Sequence, residues 1–216
     1  MSRFLGPIHH WLFNKIKLHE KLEKNIVESL EDKYGLEIEQ THSYFIDSHG
    51  SLIDDNPLEE LIDTNNIHGW LQERINIAET RFADFITTVL DKFPGEAIEL
   101  IENEYKKQGR ECGINSKEKY PINNAIEIYK SLNNYILDGM PCDNANNIIN
   151  STEKEIEWQI TNCLHKKYWE KVGGNTEIFH NLRSLWNSNF VENANASFRY
   201  EYINNEGNLN HKIYKK

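Results

Sequence analysis

The sequence predicts an α+β fold that is mostly helical: N-terminal antiparallel helices packed with a small C-terminal antiparallel sheet that carries two inserted helices. Three observations lead to this class. Apolar residues recur at helical spacing through residues 1–140. Near the C-terminus, two stretches alternate apolar and polar residues, as half-buried strands do. Two helical segments separate these stretches, so we expect a helical region over 1–140 and a small α+β region over 141–216, forming one compact unit.

Proline and glycine mark the ends of the predicted helices, because proline fits the first turn and glycine ends a helix easily. The apolar stripe that begins at Ile8 continues to Leu30, which makes the first helix the longest predicted one. Residues 36–56 show a less regular pattern. The predicted helices run from Pro7 to Gly35, briefly from Pro57, from Asn66 to Lys92, from Pro94 to Gly109, and from Pro121 to just before Gly139; a loop would hold residues 109–116.

The C-terminal region follows a different period. Ile156, Trp158 and Ile160 alternate with polar residues and predict a strand, which residues 147–150 could join as a hairpin. Residues 164–172 and 176–186 have helical spacing. The pattern then returns to alternation at residues 198–202 and 209–213, which predicts two further strands.

Composition excludes several classes of function. The 216 residues include 34 acidic and 24 basic side chains, and the resulting formal charge of −10 opposes binding to nucleic acid or to an anionic membrane. No apolar run approaches the roughly 18 residues that span a bilayer. His9 and His10 interrupt the only apolar stretch at the N-terminus, so we expect no signal peptide. The three cysteines form no CxxC pair, which favours a reduced, cytoplasmic protein without disulfides.

The common local catalytic motifs are absent from the sequence. It contains no GxGxxG, no GxxxxGK[ST], no GxSxG and no HExxH. We therefore expect neither nucleotide-dependent transfer on a Rossmann or P-loop fold nor a nucleophile-elbow hydrolase.

Histidine and carboxylate side chains on the apolar stripe of the first helix form one candidate site. His9, His19 and Glu23 lie on this stripe, and His68 stands near the start of the Asn66–Lys92 helix. Such side chains inside a helical bundle can hold a metal ion or haem. The alternative is an ordinary histidine that is hydrogen-bonded in the core. A buried Glu23 would need a partner, and Arg74 is the predicted one because a guanidinium meets a carboxylate with two hydrogen bonds.

Cys163 forms the second candidate site, because it ends the predicted Ile156–Ile160 strand and a helix follows at once. The dipole at a helix N-terminus favours a thiolate, and either His165 or His180 could act as its base or as a second metal ligand. The alternative is an inert buried cysteine, which is the common state of this residue.

The segment EIEWQITNC, which ends at Cys163, and the following LHKKYWEKVG, which ends at Gly173, carry a family resemblance together with SFRYEY at 197–202. Residues 145–203 resemble the C-terminal part of the L-2-amino-thiazoline-4-carboxylic acid hydrolase-like family and the related 4-vinyl reductase small-molecule-binding domains. The resemblance implies an α+β small-molecule-binding fold and a hydrolase-like activity, if the chain is an enzyme. The pattern departs from the family at two of its cysteines: one position falls near His180 and the other at Ala196-Ser197.

These observations predict a cytoplasmic protein that binds a small molecule in a pocket between the helices and the C-terminal sheet, with Cys163 and His180 as catalytic residues and His165 as a binding residue. Two alternatives remain open: a metal- or haem-binding helical protein that uses His9, His19 and His68, and a non-catalytic module that forms a homodimer through an apolar helix face. The expected pocket walls are aromatic: Trp158, Tyr168, Trp186, Phe198 and Tyr200.

Overall fold

A computed structural model describes residues 5–205 and 207–216. In these residues the chain forms eight helices and four strands. The helices are α1 (Pro7–Tyr34), α2 (Leu36–His49), α3 (Leu58–Leu61), α4 (Ile67–Lys92), α5 (Glu96–Lys119), α6 (Ala125–Leu132), α7 (Lys166–Lys171) and α8 (Thr176–Ala194). The strands are β1 (Asn146–Ser151), β2 (Glu155–Ile160), β3 (Phe198–Asn205) and β4 (Asn208–Lys215).

The predicted fold class is confirmed. Helices account for 61% of the described residues, and the four strands form one antiparallel sheet in the order β1-β2-β4-β3. Helices α7 and α8 lie between β2 and β3 in sequence, as the two inserted helices were expected to do. None of the helices in the described ranges is long and apolar enough to cross a membrane.

The chain divides into two compact units, and the division does not follow the predicted boundary at residue 140. The first unit contains the described residues up to Ile101, together with Leu137–Met140 and His165–Asn175. The second unit contains Glu102–Ile136, Pro141–Leu164 and Thr176–Lys216. Each unit therefore draws on segments from both predicted regions.

The first unit is built on α1, α2 and α4. His9 contacts His68 and Tyr34 stacks on Phe93, and both pairs are 59 positions apart, so α1 and α4 run parallel in a constant register. Helix α2 runs antiparallel to both. Gly35 makes the reversal between α1 and α2 with a φ of 74°, a conformation that residues with a Cβ rarely adopt. Part of the core of this unit is a cluster of apolar side chains: Leu12, Phe13, Ile16, Ile53, Leu58, Ile62, Ile67, Leu71, Ile75, Ala78 and Leu137.

The second unit places α8 against the sheet at β3, while α6 lies against β2 and β4. Helix α5 crosses α8 at Gly109 and Gly113. A Cβ on Gly109 would collide with the carbonyl oxygen of Trp186, and one on Gly113 would collide with that of Phe190. The four-residue spacing puts both glycines on one face of α5, so the two backbones can approach closely.

Four elements have bounds that differ from the predicted ones. Residues 36–49 form α2, although their apolar pattern was judged irregular. Residues 109–116, predicted as a loop, continue α5 to Lys119, because the two glycines serve helix packing rather than a turn. Helix α6 begins at Ala125 instead of Pro121, since the Asn124 side chain caps it by accepting the N–H of Glu127. Helix α8 also extends eight residues beyond its predicted end at Trp186, to Ala194.

Candidate functional site

Cys163 and His180 lie in contact within the second unit. Cys163 is in the bend that follows β2, and His180 is in the second turn of α8. The Cys163 Sγ and His180 Nε2 atoms are 3.5 Å apart, within hydrogen-bonding distance for sulfur. His180 is buried and Cys163 is partly exposed. The pair therefore has the geometry in which an imidazole can take a proton from a thiol.

The group that can activate the Cys163 thiol is not the helix dipole that the sequence predicted. Helix α7 begins three residues after Cys163, at Lys166, and is only six residues long. A helix of this length has a weak dipole, so the predicted effect of a helix N-terminus on the thiol has little basis. The His180 side chain is the group that the structure places beside the sulfur.

Tyr202 on β3 adjoins this pair, and we call Cys163, His180 and Tyr202 the thiol site. The rings of His180 and Tyr202 are 6.4 Å apart and nearly parallel. Burial raises the pKa of Tyr202, and the nearby charges of Glu177 and Cys163 raise it further. Its hydroxyl is shielded from solvent and has no hydrogen-bond partner among the described residues. The phenol is thus a protonated donor without an acceptor.

The sheet continues the thiol site as a row of aromatic and polar side chains. His211 on β4 lies opposite both Trp158 on β2 and Tyr202 on β3, so the three face the same side of the sheet. Trp158 stacks on His211, with ring centroids 5.2 Å apart. Tyr200 joins the row through a 2.6 Å hydrogen bond between its hydroxyl and His211 Nδ1.

Asn187 on α8 completes the hydrogen bonding of Tyr200. Its Nδ2 donates to the Tyr200 hydroxyl over 3.1 Å, which leaves that hydroxyl to donate to His211. The Asn187 side chain is 2% exposed, and its Oδ1 has no partner within the described ranges. Tyr202 Oη and Asn187 Oδ1 are therefore buried polar atoms of this α8–sheet layer that make no hydrogen bond with the described residues.

The other predicted walls fall into two groups. Trp186 stacks on Phe190 and donates its indole N–H to Gln108 over 3.0 Å, and Phe198 is 2% exposed, so both pack inside the second unit. Tyr168 belongs to the first unit, where its hydroxyl donates to Asn76 Oδ1 over 2.6 Å. These side chains contribute to packing and internal hydrogen bonds.

His165 is held between two carboxylates of the first unit. Its Nδ1 lies 3.0 Å from Glu79 and its Nε2 lies 3.1 Å from Asp138. Both contacts are within hydrogen-bonding distance, so each ring nitrogen has a carboxyl partner. His165, predicted as a binding residue beside Cys163, is thus tied to Glu79 and Asp138.

The predicted metal ligands are not assembled into a site. His9 Nε2 lies 3.3 Å from His68 Nε2, whereas the ring of His19 packs edge-on against Phe82. Glu23 is occupied by other partners. Across residues 5–205 and 207–216, no group of three or more His, Cys, Asp or Glu side chains is arranged to hold a metal ion.

The partner of Glu23 is Arg81, and the prediction of Arg74 was wrong. The parallel register of α1 and α4 sets Glu23 beside residues 81–82, whereas Arg74 lies two turns away, about 10 Å along the helix. Arg81 Nε and Nη2 approach the two Glu23 oxygens at 2.7 and 2.8 Å, and Nη2 also donates to Glu20 over 2.9 Å. The expected burial of His19 and Glu23 is confirmed, since they are 8% and 0% exposed.

We call Glu20, Glu23, His42 and Arg81 the Arg81 cluster. His42 contacts Glu23 at 2.8 Å, Arg81 donates to the carbonyl of Gly50, and Glu20 accepts the N–H of Ile53. Burial alone would raise the pKa of Glu23, but its hydrogen bonds with His42 and Arg81 hold that pKa below its ordinary value. The cluster joins α1, α2 and α4 and leaves none of its buried side-chain nitrogens or oxygens without a partner.

A cavity of about 660 Å³ lies between α2 and α4 in the first unit. The His49–Asp84 pair lines it, with Nε2 and Oδ2 2.8 Å apart, and so does the exposed ring of Tyr44. This volume falls in the range of small-molecule pockets. However, no lining residue carries a buried polar atom that lacks a partner, so its hydrogen bonding indicates no particular ligand.

Comparisons with known proteins add no assignment. No family model matches the chain, and no curated protein or solved structure matches it either. The thiol site must therefore be interpreted from its own geometry.

Proposed function

We propose that the chain is a cytoplasmic small-molecule-binding enzyme that hydrolyses a carbon–nitrogen bond of a small amide or heterocycle, with Cys163 as nucleophile and His180 as general base and acid. The observation that carries the proposal is the 3.5 Å contact between Cys163 Sγ and His180 Nε2. The resemblance of residues 145–203 to the amino-thiazoline-carboxylate hydrolase-like family supports the same substrate class. A reducing compartment keeps such a thiol available.

The chemistry follows from the two groups. His180 Nε2 takes the proton of Cys163, and the thiolate forms a C–S bond with the electrophilic carbon of the substrate. The C–N bond then breaks, and the imidazolium returns its proton to the departing nitrogen. Water next attacks the same carbon and His180 accepts its proton; the C–S bond then breaks, the hydrolysed product leaves, and the imidazolium protonates the departing thiolate.

Alkylation of the intact protein by iodoacetamide tests this proposal, because the chain carries an internal reference. Cys142 is exposed, whereas Cys163 is partly shielded and Cys112 is buried. Mass spectrometry of the cysteine peptides then gives separate rates between pH 5.5 and pH 8.5. We expect Cys163 to react about tenfold faster than Cys142 near pH 6, because a neighbouring imidazole supplies thiolate there.

The His180→Gln variant is the matched test, since glutamine keeps a polar side chain but cannot act as a base near neutral pH. It should remove the advantage of Cys163 and leave the rate of Cys142 unchanged. Equal behaviour of Cys163 in the wild type and in His180→Gln would overturn the proposal. Hydrolysis of L-2-amino-thiazoline-4-carboxylate, measured with Cys163→Ala as the control, then tests the substrate class.

A further inference from the structure

The hydroxyl of Tyr202 requires an acceptor that the described residues do not supply. Buried polar atoms in proteins are nearly always hydrogen-bonded, and a buried polar atom without a hydrogen bond lowers the stability of the fold. Tyr202 Oη is buried and has no partner within residues 5–205 and 207–216, although the hydroxyl of Tyr200, two residues earlier on the same face of β3, is bonded to both Asn187 and His211. The contrast shows that side chains of this layer can supply hydrogen-bond partners to a tyrosine hydroxyl. The missing partner of the Tyr202 hydroxyl is therefore a consequence of where Tyr202 lies.

The position of Tyr202 connects this donor to the thiol. Its ring lies 6.4 Å from the ring of His180, whose Nε2 contacts Cys163 Sγ. The ring of His211 is also near the Tyr202 ring, with centroids 5.0 Å apart, so the tyrosine contacts two imidazoles. A ligand that reacts with Cys163 would thus come close to the phenol.

We infer that Tyr202 is a substrate-binding residue of the thiol site, and that its hydroxyl donates a hydrogen bond to a neutral carbonyl or imine acceptor on the ligand. This inference rests on the proposed function. The acceptor is neutral because the carboxylate of Glu177 and the Cys163 thiolate both place negative charge near the phenol. A carboxylate at the same point would be repelled by these charges. An amide or a cyclic amidine carries an acceptor of the required kind next to an electrophilic carbon.

Two alkylating agents separate the donor from the nucleophile. Iodoacetamide carries a carbonyl acceptor, whereas iodoethane carries none. For each cysteine we take the iodoacetamide rate divided by the iodoethane rate. This ratio includes the difference in intrinsic reactivity between the two reagents. Dividing the ratio at Cys163 by the ratio at Cys142 cancels that difference and gives a normalised preference. We expect this normalised preference for iodoacetamide to be about three- to tenfold in the wild type, the value of one hydrogen bond.

The Tyr202→Phe variant keeps the ring and removes only the donor. It should bring the normalised preference to about one and leave the iodoethane rate at Cys163 unchanged. Tyr214→Phe on β4 is the control and should retain the wild-type preference. A wild-type preference near one, or a preference that persists in Tyr202→Phe, would overturn the inference. A Tyr202→Phe protein that is less stable than the wild type would also overturn it, because the hydroxyl would then bind only a structural water.

The failures of the two proposals are distinguishable. If Cys163 reacts with iodoethane no faster in the wild type than in His180→Gln, the thiol is not activated and the proposed function fails. If the histidine dependence is present but the preference for iodoacetamide is absent, the function stands and the role of Tyr202 falls.

Discussion

The two units of the chain each bury a polar cluster, but they complete its hydrogen bonds differently. In the first unit, the Arg81 cluster satisfies both carboxylates and uses backbone groups at Gly50 and Ile53 for the remainder. In the second unit, the layer around the thiol site leaves Tyr202 Oη and Asn187 Oδ1 without partners among the described residues. Both clusters contain titratable groups on helices.

This difference separates a cluster with complete hydrogen bonds from the site that we propose to be functional. A fully bonded network fixes the positions of its helices and offers nothing to a ligand. A buried donor without an acceptor costs stability, and proteins accept such a cost at sites that bind something. Histidine content alone would have pointed to the first unit, where the N-terminal metal site was predicted, whereas the contact between Cys163 and His180, with Tyr202 beside it, lies in the second.

The largest effect should follow from breaking the Arg81 cluster. Arg81→Met leaves Glu20 and Glu23 buried without their cation, and we expect a loss of about 3–5 kcal/mol in the free energy of unfolding. Urea denaturation followed by circular dichroism measures it.

Arg74→Met is the matched control for that experiment. Arg74 lies on the same helix over the ring of Trp70, with its guanidinium carbon 5.7 Å from the centroid, and has no part in the cluster. We expect it to cost about 1 kcal/mol or less. Equal losses in the two variants would contradict the assignment of Arg81 as the partner of Glu23.

The next effect concerns the packing of the second unit. Gly109→Ala adds a methyl group where α5 meets the carbonyl of Trp186, so the helices must separate although alanine favours the helix. We expect a net loss of about 1–3 kcal/mol in unfolding free energy. Arg110→Ala, on the exposed side of the same turn, should change stability by less than about 0.5 kcal/mol. A stabilised Gly109→Ala variant would show that the close approach is absent.

A pair of conservative substitutions sharpens the comparison within the sheet. Tyr200→Phe removes a hydroxyl with two partners and should cost about 1–2 kcal/mol, because His211 and Asn187 lose their bonds. Tyr202→Phe removes a hydroxyl that has no partner in the described part of the chain, and it should leave stability unchanged or raise it by up to about 1 kcal/mol. Thermal unfolding of the ligand-free proteins gives both values. Destabilisation by Tyr202→Phe equal to that by Tyr200→Phe would contradict the distinction.

Local pattern was sufficient to predict most of the fold. The apolar stripe of α1, the Asn66 cap of α4 and the alternation of β2 each act within one element. Helix α2 and the length of α5 were missed because tertiary packing decides them. Gly109 and Gly113 look like turn residues alone, but their four-residue spacing is also the signal of a close helix crossing.

The candidate site was predictable only in part. The sequence indicated Cys163 and His180 through the strand that precedes the cysteine and the helix that carries the histidine. The phase of α1 correctly predicted that Glu23 is buried, but the choice of Arg81 over Arg74 needs the register between two helices, which no local pattern encodes. Tyr202 was visible as part of the β3 alternation, yet its lack of a partner is a property of three-dimensional packing alone.

The smallest effect lies at the surface of the first unit, where His9 and His68 meet. Desolvation lowers the pKa of His9, and the nearby His68 and His10 lower it further. His9 Nδ1 accepts the N–H of Gly6 over 3.0 Å, so the neutral ring carries its proton on Nε2, and Nε2 donates to His68. Protonation would turn Nδ1 into a donor and break the contact with Gly6. The neutral form of His9 therefore stabilises the fold above the ordinary histidine pKa of about 6.5, and this contribution is lost as pH falls toward the lower pKa of the folded state.

We expect His68→Ala to raise the pKa of His9 partway toward its ordinary value in an NMR titration, because burial remains when the charge of His68 is removed. Lys17→Ala, which breaks a surface pair with Asp55, should leave that pKa unchanged. A pKa of His9 that stays fixed or falls in His68→Ala would show that the two rings do not interact.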